Sequence, residues 1–159
     1  MNADTKPRIG FIGLGLMGHG MAKNLVTKGY PLTVCAHRNR KPLEDLLAAG
    51  AREVTTHAEV ARQSDIVFLC VTGSPQIESI VYGDTGLLAA AREGLIVVDT
   101  STAEPASTAA IRLEFGAKRA LFVDAPLART PVEAEQGRLN TMVGADDAVF
   151  ARLKPVLSA

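Results

Sequence analysis

Residues Ile9-Gly10-Phe11-Ile12-Gly13-Leu14-Gly15-Leu16-Met17-Gly18 join an apolar run to three glycines spaced G-x-G-x-x-G. A short apolar run without polar alternation suits a parallel strand covered on both faces. The glycines let its end turn straight into a helix. Gly13 is expected to make the turn, Gly15 to let a pyrophosphate approach the backbone, and Gly18 to let the helix lie close on the sheet. A helix N-terminus with free amides is an anion site, so the motif points to a bound dinucleotide.

The rest of the chain alternates in the same sense. Strands are predicted at Arg8–Ile12, Leu32–Ala36, Glu53–Val54, Ile66–Val71, Gly94–Asp99, Ala120–Asp124 and Thr141–Gly144. Helices are predicted at Met17–Lys28, Lys41–Ala49, Ala58–Arg62, Gln76–Tyr82, Pro105–Phe115 and Asp146–Leu157. Pro155 is expected to bend the last helix or loosen its final turn. Repeated strand–helix alternation predicts an α/β fold, a doubly wound and mainly parallel sheet of the Rossmann type. Neither a repeat nor a linker divides the 159 residues, so a single dinucleotide-binding domain over 1–159 is expected.

Several function classes are disfavoured. Seventeen basic residues are balanced by seventeen acidic ones, which gives no support to a nucleic-acid surface. The absence of an apolar run of about 18 residues predicts no membrane span. Met1 to Arg8 is polar and lacks the apolar core of a signal peptide. Cys35 and Cys70 fall in predicted strands with no C-x-x-C pattern, and read as buried free thiols in a reducing cytoplasm. No metal site is expected.

The end of the second strand bears on the cofactor. NAD binders usually place an acid there to hold the ribose 2′-hydroxyl. This chain reads Val34-Cys35-Ala36-His37-Arg38-Asn39-Arg40, with no carboxylate. Arg38 and Arg40 would attract a 2′-phosphate, whose oxygens match the guanidinium fork. NADP is therefore favoured over NAD, with His37, Arg38 and Asn39 as candidate contacts. His37 would stack on the adenine, add charge when protonated, or stand by. The alternative for the arginines is ordinary solvated surface.

Beyond these residues the chain resembles a known family. The glycine segment is followed by Met21-Ala22-x-Asn24-Leu25, and later come Asp99-Thr100-Ser101-Thr102, Asp124-Ala125-Pro126 and Gly137-Arg138-Leu139-Asn140-Thr141-Met142-Val143-Gly144. Together they resemble the β-hydroxyacid dehydrogenases, which include 3-hydroxyisobutyrate dehydrogenase and, more distantly, 6-phosphogluconate dehydrogenase. The resemblance implies that Leu16 and Met17 lie under the pyrophosphate and that Val71 and Thr72 border the cofactor. It implies that Thr102 reaches the nicotinamide ribose or the substrate side, with Ser101 beside it as a substrate contact. The alternative for Ser101 and Thr102 is capping of the helix that begins near Pro105.

The chain departs from the family in two places. Where the family has Asp-x-Pro-x-Ser-Gly-Gly, this chain has Asp124-Ala125-Pro126-Leu127-Ala128-Arg129-Thr130. Ala128 removes a hydroxyl, while Arg129 and Thr130 offer an anion clamp. A similar Gly-Arg-Thr variant occurs in the sulfolactaldehyde reductase branch, which implies a carboxylate or sulfonate on the substrate. The alternative is a surface pairing of Arg129 with Glu133 or Glu135. Second, the family's catalytic lysine, in G-x-G-x-x-x-K, is expected beyond Ala159 with the all-helical second domain. Lys154 is not its substitute. The resemblance implies an NAD(P)-dependent oxidoreductase that interconverts a small anionic 3-hydroxy acid and its semialdehyde. The complete enzyme would be a homo-oligomer, and this chain alone would be inactive. A non-catalytic dinucleotide-binding module and an imine reductase are the alternatives.

Overall fold

The computed structural model describes residues 5–35 and 39–159. In chain order the elements are β1 (Ile9–Ile12), α1 (Gly18–Thr27), β2 (Leu32–Cys35), α2 (Lys41–Ala48), β3 (Arg52–Glu53), α3 (His57–Gln63), β4 (Ile66–Leu69) and α4 (Ser74–Val81). They continue as β5 (Ile96–Asp99), α5 (Pro105–Ala117), β6 (Leu121–Asp124), β7 (Leu127–Ala128), α6 (Pro131–Glu135), β8 (Asn140–Thr141) and α7 (Asp147–Leu157). A single 3-10 turn, Leu88–Ala90, leads into β5.

Six strands form one parallel sheet in the order β3-β2-β1-β4-β5-β6. The chain winds outward from β1 to β3, then crosses back to β4 on the other side of β1. At that reversal the connections leave β1 and β4 in opposite directions, and a crevice opens at the carboxyl ends of the strands. β1, β2, β4 and β5 are buried along their whole length, as apolar runs between two helical layers must be. One core cluster includes Phe11, Phe68, Leu25, Leu43 and Leu153, and the other Val67, Leu69, Ile77, Ile111 and Phe115. Phe11 and Phe68 are register partners, and their rings stack at 5.9 Å.

Local signals set the helix starts. Thr56 and Glu59 make a reciprocal capping box at α3, and Asp146 accepts from the Val149 amide at 2.8 Å to start α7. α7 runs through Pro155 to Leu157. A proline so near the end removes few helical bonds, and its carbonyl accepts from the Tyr30 hydroxyl at 3.1 Å.

The doubly wound parallel sheet is as expected, with shorter strands. Ala36, the expected end of the second strand, lies outside the described residues. Val71 lies beyond β4. The last short strand is Asn140–Thr141 instead of Thr141–Gly144. It pairs antiparallel with β7 in a two-stranded ribbon, and Gly144 bridges back to Asp124. β7 and α6 are unexpected elements, too short to carry a hydrophobic period. Among the described residues, no helix is long and apolar enough to cross a membrane.

Candidate functional site

The crevice at the reversal holds about 1460 Å³ of empty space out to its open mouth. Gly13, Leu14, Gly15, Cys35, Asn39, Cys70, Val71 and Thr72 are among its lining residues. The three motif glycines play distinct parts. Gly13 has φ 99°, and a Cβ there would fall 2.2 Å from the Cys70 carbonyl oxygen. A Cβ on Gly18 would fall 1.9 Å from the Gly13 carbonyl oxygen. These two are glycines for internal reasons. Gly15 has nothing within 4 Å of an added Cβ, so bare backbone faces open space there. α1 starts at Met17 with no side-chain cap on its amides. Uncapped amides beside exposed backbone fit a pyrophosphate. Leu16 is exposed at the loop tip, and Met17 is half-buried.

Side chains at the end of β5 hold the exit of β4. The Val71 amide donates to Ser101 Oγ at 3.0 Å, and the Ser101 amide to Asp99 Oδ1 at 2.9 Å. Thr100 Oγ1 donates to the Leu69 carbonyl at 2.6 Å. Ser101 is buried, so its oxygen supports Val71 from below. Thr102 and Thr72 are exposed. Neither Ser101 nor Thr102 caps α5; the cap residue is Glu104, whose amide donates to Ser74 Oγ at 2.8 Å. Asp99 is fully buried, and its Oδ2 has no hydrogen-bond partner among the described residues. Burial pushes its carboxyl above the usual aspartate range, partly opposed by Ser101 and aided by the charge of Asp124.

The loop after β6 carries the departures from the family. Ala128, Arg129 and Thr130 are all exposed. Arg129 has φ 85°, a left-handed backbone that disfavours arginine and suits the glycine the family places there. The alternative pairing of Arg129 does not occur. Glu133 accepts from both the amide and hydroxyl of Thr130. Glu135 accepts from His19 Nδ1 at 2.9 Å and Lys23 Nζ at 3.0 Å. Arg129 forms no hydrogen bond or ion pair among the described residues, although its charge helps to keep Glu133 ionised. The Thr130 hydroxyl, expected in the anion clamp, is committed to Glu133.

α6 seats this loop on α1. A Cβ on Gly20 would come within 2.7 Å of the Ala134 carbonyl carbon, so only glycine permits the approach. A second, mostly apolar pocket lies between α1, the β7–β8 ribbon, α6 and the end of α7.

At the end of β2, His37 and Arg38 lie outside the described residues. Asn39 lines the crevice, and its Oδ1 accepts from the Lys41 amide at 3.2 Å. Arg40 is bound through both terminal nitrogens to Glu53 of β3, at 3.0 and 3.2 Å. The reading of Arg40 as a free cation for a 2′-phosphate is thereby corrected. No local pattern marks this partner, because parallel pairing alone brings β3 beside β2. Cys35 is buried and Cys70 only partly so, and burial raises both thiols above their ordinary range. Among the described residues no group of three or more His, Cys, Asp or Glu side chains could hold a metal ion.

Residues 8–159 match the family described as the NAD binding domain of 6-phosphogluconate dehydrogenase. The chain is similar to 2-hydroxy-3-oxopropionate reductase of Escherichia coli, 38% identical over 94% of this chain and 50% of that protein. It is also similar to a crystal structure of 3-hydroxyisobutyrate dehydrogenase from Salmonella typhimurium. That match has TM-score 0.87 and 31% identity, covering 97% of this chain and 53% of the other. An imine reductase from Myxococcus stipitatus in complex with NAD+ shares the fold, at TM-score 0.84 and 24% identity over 96% of this chain and 51% of its own. The chain spans about half the length of the curated relatives it matches. It belongs to the β-hydroxyacid dehydrogenase family, and it is the NAD(P)-binding domain of that family.

Proposed function

We propose that this chain is the cofactor-binding half of an NADP-favouring oxidoreductase that interconverts a small 3-hydroxy acid and its semialdehyde. The observation that carries the reading is Arg129, an unpaired guanidinium held at φ 85° in a loop where the family has glycine. A strained backbone kept at such a loop points to a role for the side chain that imposes it. That role is to bind the anionic head of the substrate, a carboxylate or a sulfonate. The sulfonate option rests on the likeness to the sulfolactaldehyde reductase branch. The Escherichia coli relative is named for a small hydroxy acid that carries an aldehyde carbon, which supports the substrate class.

When bound, the nicotinamide cofactor supplies or accepts the hydride. This chain's residues bind and orient. The backbone of Gly13 and Gly15 and the uncapped start of α1 at Gly18 hold the pyrophosphate, with Leu16 and Met17 under it. Val71 and Thr72 border the nicotinamide side, and Thr102 reaches its ribose. Ser101 positions Val71 from beneath the substrate side. Ala128 leaves space without a hydroxyl, and Thr130 fixes the loop through Glu133. Arg38, Asn39 and His37 meet the adenosine end, and the sequence between Val34 and Arg40 carries no acid to repel a 2′-phosphate. Lys154 lines neither cavity, so the proton relay belongs to the lysine of the family's helical half. The complete enzyme works as a homo-oligomer in the cytoplasm. Imine reduction is the weaker reading, because Arg129 would repel a protonated imine.

The test is calorimetric titration of the chain with NADPH and NADH, followed by a small 3-hydroxy carboxylate or sulfonate added to the NADP+-loaded chain. NADPH is expected to bind more tightly, and the anion to shift the NMR signals of residues 127–130 in the native chain but not in Arg129→Gln. Failure of both dinucleotides to bind would overturn the proposal. An anion response that survives Arg129→Gln would remove Arg129 from the site.

A further inference from the structure

The ion pair between Arg40 and Glu53 stands where the two candidate cofactors differ. Val34 of β2 and Glu53 of β3 are register partners, and the Val54 amide donates to the Val34 carbonyl at 3.0 Å. Parallel pairing therefore sets the Glu53 carboxylate at the carboxyl end of β2, where Cys35 and Asn39 line the crevice. The stretch from Val34 to Arg40 lacks the acid that NAD enzymes use to hold the ribose hydroxyls. The neighbouring strand supplies one sideways. Both terminal nitrogens of Arg40 are spent on it, the same edge a phosphate would take. Glu44, in the first turn of α2, adds a second negative charge near Arg40.

Resting on the dinucleotide reading of the crevice, we infer that Glu53 is a specificity-determining residue that weakens this chain's preference for a 2′-phosphorylated cofactor. It does so in two ways. It withdraws Arg40, one of the two arginines in the stretch from Val34 to Arg40, from the phosphate. It also sets a negative charge beside the ribose, which opposes a phosphate and tolerates a free diol. The chain accepts both NADPH and NADH, with a narrower margin than two free arginines would give.

The experiment compares dissociation constants for NADPH and NADH by nicotinamide fluorescence, which no tryptophan obscures in this chain. The proteins are the native chain, Glu53→Gln, Glu53→Thr, and the double variant Glu53→Gln with Arg40→Gln. Both single variants are expected to move the affinity ratio toward NADPH by about fivefold or more, through tighter NADPH binding. The gain is expected to shrink with added salt and to be clearly smaller in the double variant, where only the removal of the Glu53 charge still acts and the released Arg40 no longer contributes. An unchanged ratio in folded single variants overturns the inference, as does an equal gain in the double variant. Thermal melts establish folding, and the threonine variant serves if the glutamine variant does not fold. Absence of both dinucleotides from the native chain would overturn this inference together with the proposed function. Normal binding with an unmoved ratio would overturn this inference alone.

Discussion

Asn24 of α1 donates from its amide nitrogen to the Ala134 carbonyl of α6 at 3.0 Å, and to its own helix at Gly20 at 2.8 Å. One side chain thus joins the helix that begins at the glycine loop to the helix that carries Arg129 and Thr130 at its entrance. His19 and Lys23 reinforce the junction through Glu135. Asn24→Ala takes away one of the partners of the Ala134 carbonyl, which keeps the Gly137 amide at 3.2 Å. The expected cost is about 1–2 kcal/mol in urea unfolding, together with faster amide exchange in α6. An α6 that exchanges no faster than in the native chain would contradict its dependence on Asn24.

Gly15 and Gly18 are expected to respond oppositely to a methyl group. Gly15→Ala meets open space, so the chain should fold with a near-native melting temperature while dinucleotide affinity falls. Gly18→Ala drives its Cβ into the Gly13 carbonyl, so the fold itself should suffer. Melting curves and nucleotide titration on the two variants separate these outcomes.

Replacing Arg129 by glycine relieves a left-handed backbone that arginine tolerates poorly. Arg129→Gly is expected to stabilise the chain by up to about 1 kcal/mol, or to leave it unchanged where the flexibility of glycine offsets the relief. The same substitution should abolish the response to a small carboxylate or sulfonate. A variant that keeps the anion response would show that the strain serves something else.

Asp99 makes stability depend on pH in a definite direction. Burial holds its carboxyl above the ordinary aspartate range, so the native state binds a proton more readily than the unfolded chain. Its contribution is fully present below the unfolded value and is lost as pH rises through the native one. Asp99→Asn keeps an oxygen for the Ser101 amide and removes the titration. The stability difference should therefore move in favour of the variant as pH rises from the acid range to neutrality. Parallel unfolding curves at several pH values give the sign, and a difference that is flat or runs the other way refutes it.

The sheet was legible because buried parallel strands must be largely apolar, as Ile66–Leu69 is throughout and β5 is up to Asp99. The glycine loop was legible because its spacing is a steric recipe, and the structure gives a separate reason for each of its glycines. β7 and α6 escaped because elements of two and five residues have no period to read. Ser101 and Val71 lie thirty residues apart, and their bond exists only because β4 and β5 end side by side. Thr130 looked available as a ligand, yet Thr130-Pro131-Val132-Glu133 has the capping-box spacing with proline at the first helical position, a local signal that Glu133 turns back to occupy it. Arg40 misled for a different reason: its partner lies thirteen residues away, on a strand only two residues long.

The tight seat of Gly20 against Ala134 turns α1 into a lever with a load at each end. Its first turn meets whatever the crevice holds, and its flank carries the turn that bears Arg129. A larger side chain at position 20 would therefore shift both loads at once, the turn that bears Arg129 and the glycine loop that feeds the helix.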